Sequence, residues 1–333
     1  ALTFPSKATE QVAALAALSK RMGTIEPLWR AIEREEIHAF DRVMAHEGEV
    51  RAILDEYLHT FGGRFASELK LESVGIDEDR KKLFAVLKAY RGHTAPSATL
   101  RPLPPLRPFK KVIAAVLISK FRKYASRREE FRLLRSNTFA MARRLFRRMG
   151  KLLAEEGVFR DPDDVFFLRL AEILTPTALS NGNLQATVEK RKREYAQFRE
   201  VTPPAHFSTR TGNLPYQNAN ERAATGKLHA RPASPGIVRG RVRVFREFFM
   251  PEKIDFDILV TSHTDPGWTS LIALAKGLII EHGGVLSHAS IVARELGIPA
   301  VIGAAHAVST LRDGQVVEMN GSTGEITVHE TWR

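Results

Sequence analysis

Residues 283–303 have the sequence GGVLSHASIVARELGIPAVIG, which predicts a glycine turn, a helix and a second strand. The apolar run 277–281 just before them is long enough for a buried strand. The two glycines that open the stretch supply the backbone freedom that a tight turn requires. Ser287 is a favourable N-cap for the helix, and Gly297 followed by Pro299 predicts its end. This stretch therefore predicts a strand–turn–helix–strand unit.

His288 lies in the first turn of this predicted helix, where we expect it to be partly exposed. Free backbone N–H groups and the helix dipole favour an anion at that point, phosphate above all. Imidazole is also a competent nucleophile near neutral pH, because its free pKa is about 6.5. The pattern favours a histidine that accepts a phosphoryl group. The alternative is a hydrogen-bonded histidine with a purely structural role in the core or the cap.

The composition bounds the class of protein. The 333 residues suffice for two domains of ordinary size. No cysteine, no secretory signal pattern and no window of ~18 uncharged apolar residues occurs, which predicts a cytoplasmic protein with no membrane span. The net charge of +12 comes from 50 Lys and Arg against 38 Asp and Glu. Because the basic residues are spread along helices, they favour phosphorylated substrates or an acidic partner over nucleic acid. The sequence begins with Ala1 and not with methionine. Removal of an initiator methionine and origin from a longer polypeptide are both compatible with this.

The first 200 residues are predicted to be mostly helical, since apolar residues recur at three- and four-residue steps. Two adjacent glycines in the segment 61–71 mark a turn. Arg64 and Glu68 follow it at a spacing of four, close enough to pair or to line a pocket. If only the residue types are considered, the alternative is that Arg64 and Glu68 form a solvated ion pair at a helix–helix connection.

Residues 201–226 are polar and contain three prolines, which predicts an interdomain linker. From Lys227 onwards, short β-rich segments alternate with helices, and Asn320-Gly321 indicates a hairpin. The predicted fold is therefore multidomain α and α/β: a mostly α-helical domain over 1–200, a linker, and a compact β/α/β domain over 227–333.

The stretch 283–303 resembles the phosphohistidine motif of the swivelling domain in phosphoenolpyruvate synthases, pyruvate phosphate dikinases and rifampin phosphotransferases. The resemblance extends through TDPGWT at 264–269 and LRDG at 311–314, and it covers about residues 227–329. It implies that His288 is the phosphoryl carrier. The residues expected to bind the phosphoryl group or support the histidine are Thr264, Asp265, Gly283, Gly284, Ser287 and Arg294.

Each supporting residue has an expected role. Thr264 or Ser287 is expected to bond phosphate oxygens, and Asp265 to orient the imidazole or a cation. Arg294 lies one to two turns past His288 and is expected to neutralise phosphate charge, with a solvated helix residue as the alternative. The histidines of this region are not at metal-ligand spacing, so no metal site is predicted.

The segment 61–71 resembles a motif of the helical substrate-binding domain in rifampin phosphotransferase-like enzymes, aromatic-Gly-His-Arg-Gly-Pro-Gly-Glu. Arg64 and Glu68 match its arginine and glutamate, whereas Gly63 stands where the family usually has histidine. If that histidine activates the acceptor hydroxyl, this protein lacks the group or supplies it elsewhere. An Arg-Glu pair of the same domain is matched by Arg128-Glu129. The implied substrate-binding residues are Arg64, Glu68, Arg128 and Glu129.

In the resembled enzymes, an ATP-grasp domain phosphorylates the histidine, and the swivelling domain carries the group to a second site. No stretch of this sequence resembles an ATP-grasp domain. The resemblance therefore implies a split or truncated phosphotransferase that uses ATP and Mg²⁺ through a partner or missing ATP-grasp domain and binds neither by itself. Its other partner is a small-molecule phosphoryl acceptor. A non-catalytic binding or regulatory module that retains the fold is the alternative function.

Overall fold

The computed structural model describes residues 6–94, 107–174, 184–199, 228 and 230–329. They fall into two compact units. The described parts of residues 1–140 and 224–333 form the first unit, and those of residues 141–223 form the second. None of the described helices is long and apolar enough to cross a membrane.

The N-terminal part of the first unit is helical, as the apolar spacing predicts. The helices are α1 (Lys7–Gly23), α2 (Glu26–Glu33), α3 (Ile37–Met44), α4 (Gly48–Phe61), α5 (Arg80–Ala89) and α6 (Pro108–Glu155), the last continuing into the second unit. The start of α1 is fixed by a capping box between Ser6 and Thr9. Val12, Leu15 and Met22 lie on its buried face, because residues three and four apart share one side of a helix.

The second unit contains the end of α6 and three further helical elements. These are a 3₁₀ helix (Pro162–Phe167), α7 (Leu170–Leu174) and α8 (Leu184–Arg199). They enclose a small apolar core that includes Phe159, Val165 and Val188. Arg191 donates two hydrogen bonds to Glu172, at 2.7 and 2.9 Å, the paired geometry that the planar guanidinium favours.

The C-terminal part of the first unit is a seven-stranded mixed sheet. Its strands are β1 (Arg231–Ser234), β2 (Ile237–Phe245), β3 (Ile258–Thr261), β4 (Gly277–Ile280), β5 (Ala300–Ile302), β6 (Val316–Asn320) and β7 (Ile326–His329). The order across the sheet is β1-β5-β4-β3-β2-β6-β7. The central pairs β2–β3, β3–β4 and β4–β5 are parallel, and the outer pairs are antiparallel. Short helical segments follow the strands: a 3₁₀ helix (Pro266–Trp268), α9 (Thr269–Ile272), α10 (His288–Leu296) and α11 (Ala307–Thr310).

Both faces of the central strands are buried. Successive side chains of a strand point to opposite faces. In β3, Leu259 belongs to one apolar core, whereas Ile258 and Val260 belong to another. The core on the Leu259 face also contains residues of α1 to α5, α9 and α10. One continuous apolar core therefore joins the N-terminal helices to the sheet, and this explains why strands β3 and β4 are apolar without alternation.

Two loops meet at the edge of this core. The backbone N–H of Ser67 donates to Asp265 Oδ2 at 2.7 Å, and the N–H of Gly267 donates to Oδ1 at 2.9 Å. Gly267 lies so close to the backbone of Phe65 and Ala66 that no Cβ would fit between them. The 65–67 loop of the helical part thus lies directly against the 265–267 loop that follows β3.

The predicted fold class is confirmed: a mostly helical N-terminal region precedes a mixed sheet with short helices. The β6–β7 hairpin is antiparallel, as Asn320-Gly321 predicts. The predicted domain boundaries stay a prediction. Residues 201–226, the proposed linker, lie outside the described residues, and the compact units group 1–140 with 224–333 instead of dividing the chain near residue 200.

Replacing Gly267 by alanine tests the close approach of the two loops. The added Cβ would overlap backbone atoms, which cannot move aside as a side chain can. We expect Gly267→Ala to lower the free energy of unfolding by ~2 kcal/mol, as overpacking commonly does. Urea denaturation followed by circular dichroism measures the change.

Gly284→Ala is the matched control, because a Cβ at Gly284 meets no atom within 4 Å. We expect that variant to unfold within ~0.5 kcal/mol of the parent. Equal stability of the two variants would contradict the loop contact.

Candidate functional site

His288 is the first residue of α10, as the sequence predicts. Ser287 caps the helix by accepting from the backbone N–H of Ser290 at 3.5 Å, and Gly297 ends it in the left-handed conformation, with φ 71°. The expectation that His288 is partly exposed is wrong, since its exposed fraction is 5%. The sequence could not show this, because the atoms that cover the ring come from parts of the chain far from the helix.

The hydrogen bonds of His288 assign its tautomer. Its Nε2 lies 3.3 Å from Thr269 Oγ1, and this hydroxyl donates to the carbonyl of Pro266 at 2.7 Å. Because the hydroxyl proton is already used, Thr269 accepts from Nε2–H. The lone pair then resides on Nδ1, a buried atom without a hydrogen-bond partner among the described residues.

The surroundings of His288 keep the ring neutral. Burial lowers the pKa of His288 well below its usual range, and the charges of Arg64, Arg132 and Arg128 lower it further. Both effects act in the same direction, because burial and neighbouring positive charge disfavour imidazolium. At neutral pH the ring is therefore an uncharged imidazole with a free lone pair.

Arg64 brings a buried positive charge close to this ring. Its Nη2 donates to Glu129 Oε2 at 3.1 Å, and Arg132 Nη1 donates to the other oxygen of Glu129 at 3.3 Å. The side chains of Arg64 and Glu129 are almost fully buried. Nε and Nη1 of Arg64 have no hydrogen-bond partner among the described residues. Buried donors are normally paired, so these two nitrogens indicate a position for an anion.

Two carboxyl groups of this region are held in a readily protonated state. Burial raises the pKa of Glu68 to about 7, and the charge of Arg64 opposes this increase. Burial also raises the pKa of Glu295 to about 7, and the charge of Glu129 contributes to that increase. Glu295 Oε2 accepts a buried hydrogen bond of 2.6 Å from Ser6.

The structure places the other predicted supporting residues around the loops. Asp265 binds the backbone N–H groups of Ser67 and Gly267, while Thr269 is the hydrogen-bond partner of the imidazole. Burial raises the pKa of Asp265, and these hydrogen bonds oppose the increase. Thr264 is half-buried on the same loop.

The glycine turn before α10 is held by an arginine. Arg294 Nε donates to the carbonyl of Ala233 at 2.6 Å, and its Nη2 donates to that of Val285 at 2.5 Å. In this arrangement Arg294 fastens the turn to β1, and burial lowers its pKa. Gly283 has φ 142° and a Cβ there would lie 2.8 Å from Ile302 Cδ1, whereas Gly284 is open to space.

The predicted substrate-binding residues lie near α10. Arg64, Glu68 and Glu129 are buried in the cluster described above, and Arg128 Nη2 approaches the carbonyl of Leu286 at 3.4 Å. Gly63, where the resembled motif has histidine, packs against α6: a Cβ there would lie 2.8 Å from Ala140 Cβ and 3.1 Å from Asn137 Oδ1. The long helix therefore fills the space that a side chain at Gly63 would need.

Sequence reasoning gave no role to four residues of this region. They are Ser6, Thr269, Arg132 and Glu295. The sequence does offer a signal for Thr269, because it is the last residue of the TDPGWT motif at 264–269. No sequence signal connects Ser6 with Glu295, since 289 positions separate them. Within the described residues, no group of three or more His, Asp or Glu is placed to hold a metal ion.

Comparison with known proteins finds similarity in the C-terminal part of the chain. Residues 254–324 match the family of PEP-utilising enzyme mobile domains. A rifampicin phosphotransferase of Bacillus subtilis is 31% identical over 192 residues, which are 58% of this chain and 22% of that protein. An uncharacterized phosphotransferase of the same organism is 38% identical over 202 residues, 57% of this chain and 24% of that protein.

Similarity to other relatives extends along almost the whole chain. An uncharacterized protein of Mycobacterium bovis is 32% identical over 330 residues, 98% of this chain and 36% of its own length. The chain thus spans between 22% and 36% of the length of these three relatives.

The buried carboxyl group of Glu295 predicts a pH dependence of stability. Its pKa is about 7 in the folded protein and about 4.3 when unfolded, so between these values the folded state retains a proton that the unfolded state has lost. The free energy of unfolding must then decrease as pH rises through this window. We expect Glu295→Gln to remove ~2 kcal/mol of the decrease between pH 5 and pH 7, measured by urea denaturation.

The exposed Glu49 supplies the control, and Glu49→Gln should leave the decrease unchanged. Glu68 titrates in the same pH window, so the free energy of unfolding of Glu295→Gln still decreases in part as pH rises. An identical slope in Glu295→Gln and the parent would show that Glu295 is ionised in the folded protein.

Proposed function

The C-terminal part of this chain is a PEP-utilising enzyme mobile domain in a rifampin phosphotransferase-like region, and on that premise we propose that the chain is the phosphoryl-transfer component of an ATP-dependent phosphotransferase. His288 is the carrier. It takes a phosphoryl group from a separate ATP-grasp domain and delivers it to an acceptor bound near the helical region.

The observation that carries this proposal is a neutral imidazole beside arginine donors. The low pKa of His288 leaves a lone pair on the ring at neutral pH, which a nucleophile requires. Arg64 has two buried nitrogens without partners among the described residues, and Arg128 and Arg132 add further positive charge near the ring. Such donors suit the equatorial oxygens of a transferring phosphoryl group, where charge is spread in the transition state.

Phosphorylation of the carrier is a displacement at phosphorus. A lone pair of the imidazole forms the N–P bond while the P–O bond to the nucleotide breaks, and the electron pair of that bond leaves on the nucleotide oxygen. The ring releases its N–H proton to solvent. ATP and Mg²⁺ act in this step on the ATP-grasp domain, where the metal would neutralise phosphate charge.

Transfer to the acceptor reverses these roles. The acceptor hydroxyl oxygen attacks phosphorus, the N–P bond breaks, and its electron pair returns to the ring nitrogen. The hydroxyl proton must move to a base. Glu68 lies in the Arg64 cluster with a pKa of about 7, which suits a group that gains and loses a proton near neutral pH. It is the residue that we assign to this role, in place of the histidine that Gly63 replaces.

In this proposal, the buried position of His288 is the one from which the phosphoryl group passes to the acceptor. The carrier helix is covered by the helical part of the same unit, and the ring is 5% exposed. Loading from a nucleotide domain requires the ring to become accessible. The mobile domain would therefore leave the Arg64 cluster for loading and return for transfer.

A non-catalytic module is the second candidate, and one observation favours it. Ala140 and Asn137 occupy the space beside Gly63, so the described packing has no room for the histidine of the resembled motif. A protein that keeps the mobile-domain fold as a binding or regulatory element would not need that group. Phosphorylation of His288 distinguishes the two candidates.

We predict that His288 becomes phosphorylated when the chain is incubated with Mg²⁺, a candidate ATP-grasp domain and ATP labelled in its β- and γ-phosphates. Mass spectrometry at alkaline pH should locate an acid-labile phosphate on His288, because ring protonation makes imidazole a better leaving group. His288→Gln should reduce the label to background. Since the ring is buried, we expect that variant to lose ~1–3 kcal/mol of stability and still fold.

His282→Gln is the matched control, because His282 lies next to the glycine turn with a 61% exposed side chain. It should be labelled like the parent. ATP without the partner domain should give no label. Phosphoramidate, a chemical donor of phosphoryl groups to imidazole, tests the same residue without any partner. Label that persists in His288→Gln would falsify the carrier role, and a His288 that no donor labels would favour the non-catalytic module.

A further inference from the structure

The helix α10 carries a second buried ionisable side chain besides His288. Glu295 follows His288 by seven residues, which is close to two helical turns, so both side chains lie on one face of α10. Val292 lies between them on that face. The exposed fractions are 5% for His288, 1% for Val292 and 6% for Glu295. The phosphoryl-transfer steps above give Glu295 no role, although an ionised carboxyl group is costly to bury.

This face of α10 meets the beginning of α1. Ser6 Oγ donates to Glu295 Oε2 at 2.6 Å, and the bond joins the helical part (α1 to α5) to the sheet part (β1 to β7 with their short helices). The same Ser6 side chain caps α1, because it accepts from the backbone N–H of Thr9 at 3.3 Å. Ser6 is therefore held in place by its own helix. Its bond to Glu295 forms only when α10 lies against α1.

The charges near Glu295 do not offset its burial. Burial raises the pKa of Glu295 to about 7, while the hydrogen bond from Ser6 lowers it. The negative charge of Glu129 raises the pKa further, and the positive charges of Arg64 and Arg128 lower it. The carboxyl group is thus held in a position that favours its protonated form.

The elements packed directly against α10 add little charge of their own. These elements are α1, α9, β1 and β5. The helix α9 and the strand β5 contain no titratable side chain. In the first turn of α1, Lys7 and Glu10 pair with each other at the surface, and Arg231 of β1 is exposed. Protonation of Glu295 is therefore controlled by its burial against α1.

Protonation of Glu295 is linked to the contact between the two parts. When they separate, water reaches the carboxyl group and its pKa returns towards about 4.3. Between that value and about 7, the joined arrangement keeps a proton that the separated arrangement has released to water. The free energy that holds the two parts together must then decrease as pH rises through this window.

We propose that Glu295 is a proton-controlled contact between the sheet part and the helical part. With its proton, Glu295 stays buried against Ser6. Loss of the proton to water favours separation of the two parts, which uncovers the face of α10 that bears His288. The consequence for the phosphoryl carrier rests on the proposed function, whereas the contact itself rests on the buried bond between Ser6 and Glu295.

Thiol labelling measures the separation, because the chain contains no cysteine and an introduced cysteine is its only thiol. Val292→Cys places the thiol on the face of α10 that the contact covers. Val260→Cys is the matched probe, since Val260 is equally buried in an apolar core made of the sheet part alone. We expect methyl methanethiosulfonate to label Val292→Cys at least about tenfold faster than Val260→Cys, because separation precedes global unfolding.

Glu295→Gln removes the titrating group and keeps its shape. We divide the labelling rate of Val292→Cys by that of the double variant Val292→Cys/Glu295→Gln. This ratio should rise about tenfold from pH 6 to pH 8, as a pKa of about 7 in contact and about 4.3 in water requires. Ionisation of the thiol and of Glu68 affects both rates alike and cancels in the ratio.

Glu49→Gln is the matched control, because the Glu49 side chain is 72% exposed. In its place, the ratio should stay constant within about twofold. Glu295→Met also lacks the carboxyl group and should reproduce the result of Glu295→Gln, so the test survives if one variant does not fold. A constant ratio with either Glu295 variant would overturn the proposal. Equal labelling of Val292→Cys and Val260→Cys would also overturn it, because the two parts would then separate only by unfolding.

The consequence for the carrier has its own readout. Phosphoramidate must reach a ring that is 5% exposed, so the rate of His288 phosphorylation in the parent, divided by that in Glu295→Gln, should rise from pH 6 to pH 8 by the same factor. A constant value here, with a rising thiol ratio, would overturn control of the carrier by Glu295.

These readouts separate the two proposals. A rising thiol ratio in a chain whose His288 no donor phosphorylates would contradict the proposed function and leave the Glu295 contact standing. Phosphorylation of His288 together with a constant thiol ratio would contradict only the Glu295 contact.

Discussion

The burial of Arg64 is the constraint on which the candidate site depends. A guanidinium removed from water requires a counter-charge and hydrogen-bond partners, or the free-energy cost is several kcal/mol. Glu129 supplies the counter-charge at 3.1 Å. Burial of the His288 ring disfavours imidazolium, and the charges of Arg64, Arg132 and Arg128 lower the pKa of His288 further. Burial also raises the pKa of Glu68 and Glu295 to about 7. One buried cation thus accompanies a neutral histidine and two protonatable carboxyl groups in a single cluster.

The contacts that build this cluster also hold the sheet against the N-terminal helices. Ser6 reaches Glu295, Tyr90 Oη donates to the carbonyl of Ser270 at 2.8 Å, and Asp265 joins the two loops. Each such bond contributes about 1 kcal/mol net, less than the shared apolar core does. If His288 is a carrier, its movement must expose part of that core. A partner domain would then have to offer apolar and anionic surface of its own, because exposing Arg64 and the core without replacement contacts would be unfavourable.

The arginines of α6 differ in burial. Arg132 is half-buried and shares Glu129 with Arg64, whereas Arg127 and Arg135 are exposed. Nothing in the residue type distinguishes them, and the helical repeat decides which of them lie near His288. Gly63 shows the same dependence on packing. Its lack of a side chain allows Ala140 of α6 to pack against Gly63, and the neighbouring Arg64 pairs with Glu129 of the same helix.

The sequence by itself determined the strand–turn–helix unit around His288, the helical N-terminal region and the hairpin after β6, since caps, glycines and apolar periodicity act over a few residues. It also selected Arg64, Glu68, Arg128 and Glu129 through a resemblance. The tertiary structure decided that Arg64 and Arg128 lie near His288, that Glu129 pairs with Arg64, that the ring is buried, and that Thr269 is its hydrogen-bond partner. It also decided that Asp265 joins the 65–67 and 265–267 loops and that Arg294 binds the glycine turn to β1. The reason is physical: pKa shifts and buried ion pairs arise from atoms far apart in the chain, as Ser6 and Glu295 are, and local sequence patterns carry no information about such contacts.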